Sequence, residues 1–179
     1  QGVKSIGILQ NFSDPALWST IFSTPVKHLA ASANAVYLNV AGGSTAVVGT
    51  WRIAAGLVEK AGANDFARID LLALKQLQTG VSGAVYGFND LTLLQFDDNA
   101  TSATATTLGS GLNWLQPDGK DNFWIGRDGQ GFVRVPLNGT TFDLTASTAG
   151  FGYYGPRYDL GYFMQQVGNR LLVACGRLD

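Results

Sequence analysis

A chain of 179 residues with one histidine and one cysteine has few routes to acid–base or nucleophilic chemistry. His28, in Pro25-Val-Lys-His-Leu29, would have to serve as the base of any Ser-His-Asp or Cys-His arrangement and as a ligand of any histidine-based metal site. Its setting predicts instead a strand-borne histidine whose hydrogen bonds are met. Cys175 ends the apolar run Leu171-Leu-Val-Ala and has no neighbouring cation to stabilise a thiolate, so it reads as a buried core thiol. Paired carboxylates are the remaining catalytic option, with Asp97, Asp98, Asp118, Asp121 and Asp128 as candidates for a glycoside hydrolase. All five stand in turn-like sequence, where aspartate also serves local hydrogen bonding. Gln116-Pro-Asp-Gly-Lys-Asp-Asn122 is rich in oxygen ligands but lacks the alternating acids and final glutamate of a calcium loop. No glycine-rich phosphate motif joins a strand to a helix either, so neither a metal nor a cofactor is expected.

Aromatic and polar groups are more promising. Trp114, Trp124, Tyr153, Tyr154, Tyr158 and Tyr162 lie near Asp118, Arg127, Asp128 and Arg157 in sequence. Indole and phenol rings stack on sugar faces while charged and amide groups bond the hydroxyls; the same mix also builds protein interfaces. The candidate ligand-binding set is therefore Trp114, Asp118, Trp124, Arg127, Asp128, Tyr153, Tyr154 and Arg157. Against it stands the reading in which both tryptophans are core residues and the tyrosines line a tight β corner. Adjacent strand residues face opposite sides, so one of Tyr153 and Tyr154 should be exposed.

The elements that would position these residues are short strands and turns. Ala-Val-Tyr occurs at Ala35 and again at Ala84, 49 positions later, and looser copies of the apolar run begin at Asn122 and Asn169. Spacings of roughly 40 to 50 residues are those of propeller blades. Asn34–Val40, a Gly42-Gly43-Ser44 turn and Thr45–Ile53 predict one hairpin; Ala84–Phe88, Asn89-Asp90 and Leu91–Phe96 a second. Phe123 through Arg127-Asp128-Gly129 to Phe132-Val-Arg-Val135 predicts a third, and Thr140–Leu144 and Leu171–Ala174 add strands. Ser13–Phe22 has a cap at Ser13 or Asp14, Pro15 at the first helical position and apolar residues at helical spacing, which predicts one short N-terminal helix. Asp65–Asp70 alternates like a strand, whereas Leu71–Leu77, followed by Gly80, fits either a strand or a short helix. Asp97–Thr107, low in complexity, is expected as an exposed loop or edge. The fold class is thus all-β, a single domain over residues 1–179. About four units of roughly 45 residues pack like a propeller, or, as the runner-up, like a β-sandwich or jelly roll.

Composition narrows the function. A net charge of −1 with 14% charged residues and no Lys/Arg cluster disfavours nucleic acid. No apolar stretch approaches the roughly 20 residues that span a bilayer, so membrane insertion is not expected. Gln1-Gly2-Val3 lacks both an initiator methionine and a signal-peptide pattern, which reads as processing or excision from a longer chain. With 23 glycines, many Thr and Ala residues and little charge, the chain resembles virion components such as phage tail or fibre domains in composition. The expectation is a non-enzymatic binding or structural module that recognises cell-surface glycan or protein, located extracellularly or on a virion surface. Sparse charge also fits a homo-oligomer or a larger assembly.

Overall fold

The computed structural model describes residues 2–60, 65–80, 82–96, 102–107, 112–118, 122–127, 131–138, 141–142, 148–151, 161–167 and 170–175. Its regular structure is almost entirely strand. The first half holds β1 (Val3–Ser5), β2 (Ser19–Phe22), β3 (His28–Ala31), β4 (Ala35–Val40), β5 (Gly49–Ala54), β6 (Ala67–Asp70), β7 (Gln76–Thr79), β8 (Val85–Phe88) and β9 (Thr92–Phe96). There follow β10 (Ala103–Thr107), β11 (Leu112–Pro117), β12 (Asn122–Arg127), β13 (Gly131–Asn138), β14 (Thr141–Phe142), β15 (Thr148–Phe151), β16 (Gly161–Val167) and β17 (Arg170–Cys175). β1 pairs with β2 and β16 with β17, while β3-β4-β5-β6 form a four-stranded antiparallel sheet. A longer sheet runs β11-β12-β13-β14-β10-β9-β8-β7, with β15 added beside β13.

The apolar pattern explains how these sheets stack. β4 is buried on both faces, which is why its sequence is an almost unbroken apolar run. Val36, Leu38 and Val40 meet Ile21, Phe22, Ile53 and Phe66 in one cluster, whereas Ala35 and Tyr37 meet Leu74, Leu77, Val85, Leu94 and Phe96 in another. β8 and β9 are likewise shared between layers. Val85, Leu94 and Phe96 face the four-stranded sheet, and Phe88 and Leu93 turn to Leu115, Phe123, Ile125 and Val135 of β11–β13. The two identical triplets therefore meet the shared core out of phase: Tyr37 enters it, but in the second copy Val85 does, and Tyr86 packs edge-on to Phe123 instead. A one-residue offset in a strand exchanges the two faces.

All four repeated runs are strands in antiparallel pairs, namely β4, β8, β12 and β17. Among the described residues they close neither a propeller nor a barrel. The β4–β5 hairpin forms in the register Ala35↔Ala54 to Val40↔Gly49, but its second strand begins at Gly49 and not at Thr45, because the Val47 and Val48 amides turn back to the Ser44 carbonyl; the β8–β9 turn is tied by Asn89 Oδ1, which accepts from the Leu91 and Thr92 amides.

Two further expectations are corrected. Ser13–Phe22 is a single 3-10 turn, Pro15–Leu17, followed by β2. Asp14 does cap that turn, accepting from the Ala16 amide at 2.9 Å, but Trp18 is already extended and Phe22 pairs with Val3 of β1. Asp97–Thr107 is not wholly a loop or edge: Ala103–Thr107 is β10, zipped to β9 from Ala103↔Phe96 to Thr107↔Thr92 and touching β14 on its other side. Of the ambiguous stretch, 67–70 and 76–79 are strands, and 71–75 crosses between the two sheets without helix.

Gly49 shows how tight the sheet's start is. Its φ is +131°, and a Cβ there would overlap the Asp70 carbonyl oxygen. Both strain terms act in the same direction, so Gly49→Ala is expected to cost about 1–3 kcal/mol. Urea denaturation measures it; an unchanged midpoint would contradict this geometry.

Candidate functional site

β11, β12 and β13 bring the candidate residues into register. Leu115, Phe123, Ile125 and Val135 point into the core. Strand alternation therefore sends Trp114, Gln116, Asn122, Trp124 and Arg134 to the opposite face. On that face Trp124 pairs with Gln116 of β11 on one side and Arg134 of β13 on the other. Trp114 lies diagonally from Trp124, opposite Gly126, which has no side chain to fill the space beside the indole. Both tryptophans are half-buried rather than core residues.

Asp118 follows β11 and closes the hairpin, its amide donating to the Asn122 carbonyl at 3.0 Å. Its Oδ2 accepts from Arg134 Nε at 2.6 Å and also from Nη2, a contact that reaches across β12. The aspartate side chain is 7% exposed and the arginine side chain 33%, so the acid is the anchor and the guanidinium retains an open edge. Charge-assisted bonds of this kind fix a long side chain in one orientation. Gln116 is buried beside Trp124, with Nε2 donating to the Pro117 carbonyl at 3.3 Å and Oε1 without a partner.

Of the eight candidate binding residues, Trp114, Asp118 and Trp124 share this face. Arg127 ends β12 opposite Leu112 and Gly131, and its side chain is outside the described residues. Asp128, Tyr153, Tyr154 and Arg157 also lie outside them, as do Asp97, Asp98 and Asp121. Sequence reasoning missed Arg134, Gln116 and Asn122. Val133-Arg134-Val135 carried a signal for the first, since a charged residue between two valines of a hairpin strand marks the polar face.

The other two tryptophans have structural duties. Trp18 Nε1 donates to the Phe12 carbonyl and Trp51 Nε1 to the Val47 carbonyl, each at 3.0 Å. Arg68 sits 5.7 Å over the Trp51 ring while its Nη1 donates to the Thr45, Ala46 and Val48 carbonyls.

His28 is on β3, as expected of a strand-borne residue, but its hydrogen bonds are incompletely met. The ring bonds to the Leu74 backbone, whereas Nε2 is buried without a partner. Burial, first, and the Lys27 charge, second, hold its pKa below the ordinary 6.5. Among the described residues no group of three or more His, Cys, Asp or Glu could hold a metal ion, and no helix is long and apolar enough to cross a membrane. No known protein family, curated protein or solved structure matches this chain.

Proposed function

We propose that this chain is a non-enzymatic β-rich recognition module and that the Trp114–Trp124 face of β11–β13 binds cell-surface glycan. The observation that carries the reading is the register setting Trp124 between Gln116 and Arg134, with Trp114 on the diagonal. Indoles supply the apolar surface on which a pyranose ring stacks, and the guanidinium supplies donors to its hydroxyls. Asp118 already holds Arg134 in place, which lowers the ordering entropy that binding would otherwise cost. Extracellular display on a virion tail or fibre, in a homo-oligomer or larger assembly, is the setting this chemistry fits. The stacked sheets favour the sandwich form over the propeller.

The alternative, a carboxylate-dependent glycoside hydrolase, requires two carboxyls facing one another across a sugar. Asp118 is the candidate that falls among the described residues, and its Oδ2 is engaged twice by Arg134. That engagement favours binding without turnover.

A glycan array with the purified chain, run beside light scattering for its mass in solution, tests the proposal. Specific signal is expected, and Trp124→Ala should weaken it at least about tenfold, about 1.4 kcal/mol, with an unchanged circular dichroism spectrum. Silence of the native chain, or full-strength binding by a folded Trp124→Ala, would overturn it.

A further inference from the structure

The loop between β1 and β2 carries its apolar residues outward. Gly7 and Gln10 close a turn, the Gln10 amide donating to the Gly7 carbonyl at 3.0 Å, with Ile8 and Leu9 at the two central positions. Such positions are ordinarily filled by Gly, Pro, Asn, Asp or Ser. Here two branched apolar side chains occupy them, 84% and 95% exposed, and Phe12 and Leu17 of the same loop are exposed as well. The loop is built rather than slack. The Asp14 amide donates to the Asn11 carbonyl at 3.1 Å, Asn11 Oδ1 accepts from the Ser13 amide at 3.0 Å, and the Trp18 ring packs against Phe12 with centroids 6.2 Å apart. Large apolar side chains gathered on one exposed loop ordinarily mark a contact site.

A hollow of about 650 Å³ lies at the other end of the same strand pair, lined by Pro25, Val26, Lys27, Ala41, Gly42 and Val47 among others. Ser5↔Ser19 is the pair next to the loop, and Val3↔Phe22 is the pair next to the hollow. Val26 and Val47 pack on the cluster that holds Ile21 and Phe22, so the floor of the hollow is continuous with the core. Gly42 keeps the hollow open, since a Cβ there would meet no atom within 4 Å. The volume falls in the range of about 300–1,000 Å³ that admits a small ligand, which is ample for branched side chains. The charges are opposite as well: Asp14 is the one charged residue between β1 and β2, and Lys27 is the one that lines the hollow.

We propose that the Ile8–Leu9 tip of one copy of this chain seats in the hollow beside Gly42 of a second copy, with Asp14 and Lys27 bringing opposite charges to the joint. A copy does not fill its own hollow, because loop and hollow leave opposite ends of the β1–β2 ladder and the tip stays exposed. A lipid surface would accept the tip but leave the hollow without an occupant, whereas a second copy accounts for both. Tip and hollow are different patches, so the contact is heterologous and copies add head to tail, as a ring if the rotation closes and as a filament if it does not. The joint is separate from the β11–β13 face and stands without the glycan reading.

A contact of one loop in one hollow is small, so association is read over a concentration series. Analytical ultracentrifugation of the full chain from about 1 μM to about 1 mM should show the mass rising with concentration. Leu9→Asp spoils the tip and Gly42→Phe fills the hollow; each should stay at the 19.0 kDa of a single chain, with an unchanged circular dichroism spectrum. The mixture of the two variants is the decisive sample. Leu9→Asp keeps an intact hollow and Gly42→Phe an intact tip, so together they should form a one-to-one dimer that cannot grow. A native chain that is monomeric throughout, an assembly that Leu9→Asp leaves unchanged, or a mixture of folded variants that remains monomeric would each overturn the proposal. Sedimentation of a monomeric native chain with phosphatidylcholine vesicles, abolished by Leu9→Asp, would overturn it in favour of a lipid surface. Should Gly42→Phe fail to fold, Leu9→Asp decides alone, since its side chain lies almost wholly in solvent.

Discussion

Tyr37→Ala is expected to cost about 3–5 kcal/mol, the range for truncating a large buried aromatic side chain. Tyr37 is 0% exposed and packs on Phe96 with ring centroids 5.4 Å apart, in the cluster that joins the four-stranded sheet to β7–β9. Marginal domains have only about 5–15 kcal/mol of stability, so this substitution removes a large fraction of it. The informative comparison is Tyr86→Ala, since both tyrosines end the same Ala-Val-Tyr triplet. Tyr86 is half-buried at the margin of the second cluster, so its truncation should cost clearly less. Urea denaturation of both variants decides the matter. Equal losses would mean that the triplets are equivalent, contrary to their opposite phasing in the core.

Asn39→Leu should also be severe, for the opposite reason. Leucine keeps the volume and adds apolar surface, so a site dominated by packing would tolerate it or gain. Here the change strands the Leu74 amide, the Leu72 carbonyl and the Thr50 hydroxyl in the interior. Each buried polar group left without a partner costs about 1–3 kcal/mol, and the total should reach on the order of 3 kcal/mol or more. Chemical denaturation measures it, and a neutral or stabilising Asn39→Leu would show that the Asn39 bonds do not hold the crossover at residues 71–75.

The hairpins were legible because their signals are local. Gly42-Gly43-Ser44 between apolar runs, and Asn89 before Leu91, specify turns within a few residues, and Gly43 indeed takes a φ of +106°. The cap of the expected helix was equally local and equally correct, but Asp14 and Pro15 start a helix without sustaining one. Thr20, Ile21 and Phe22 favour extension, and pairing with β1 places Ile21 and Phe22 in the core. Tertiary burial overrode the helical spacing. Asp97–Thr107 failed in the other direction: β10 has no large apolar residue to announce it because most of its side chains are exposed, and it is a strand through its pairing with β9.

The candidate site divides along the same line. Alternation around Phe123 and Ile125 could place Trp124 on the polar face, and the same reasoning serves Trp114 on β11. That Arg134 lies beside Trp124, and that Asp118 fastens it from the far end of another strand, depends on register across three strands. Register is a non-local property and is not written in any window of the sequence. The bonds from Asn39 to Leu72 and Leu74 of the crossover were invisible for the same reason, since they join positions 33 and 35 apart.

The most direct test of the recognition face uses the chain's four tryptophans as reporters. Their indole N–H resonances, followed by NMR as the glycan identified on the array is titrated in, report on four separate places in the fold. Trp114 and Trp124 should shift in a saturable, concerted manner, while Trp18 and Trp51, bonded to the Phe12 and Val47 carbonyls, should stay where they are. Shifts confined to Trp18 or Trp51, with Trp114 and Trp124 unmoved at saturation, would contradict the assignment of the β11–β13 face as the binding surface.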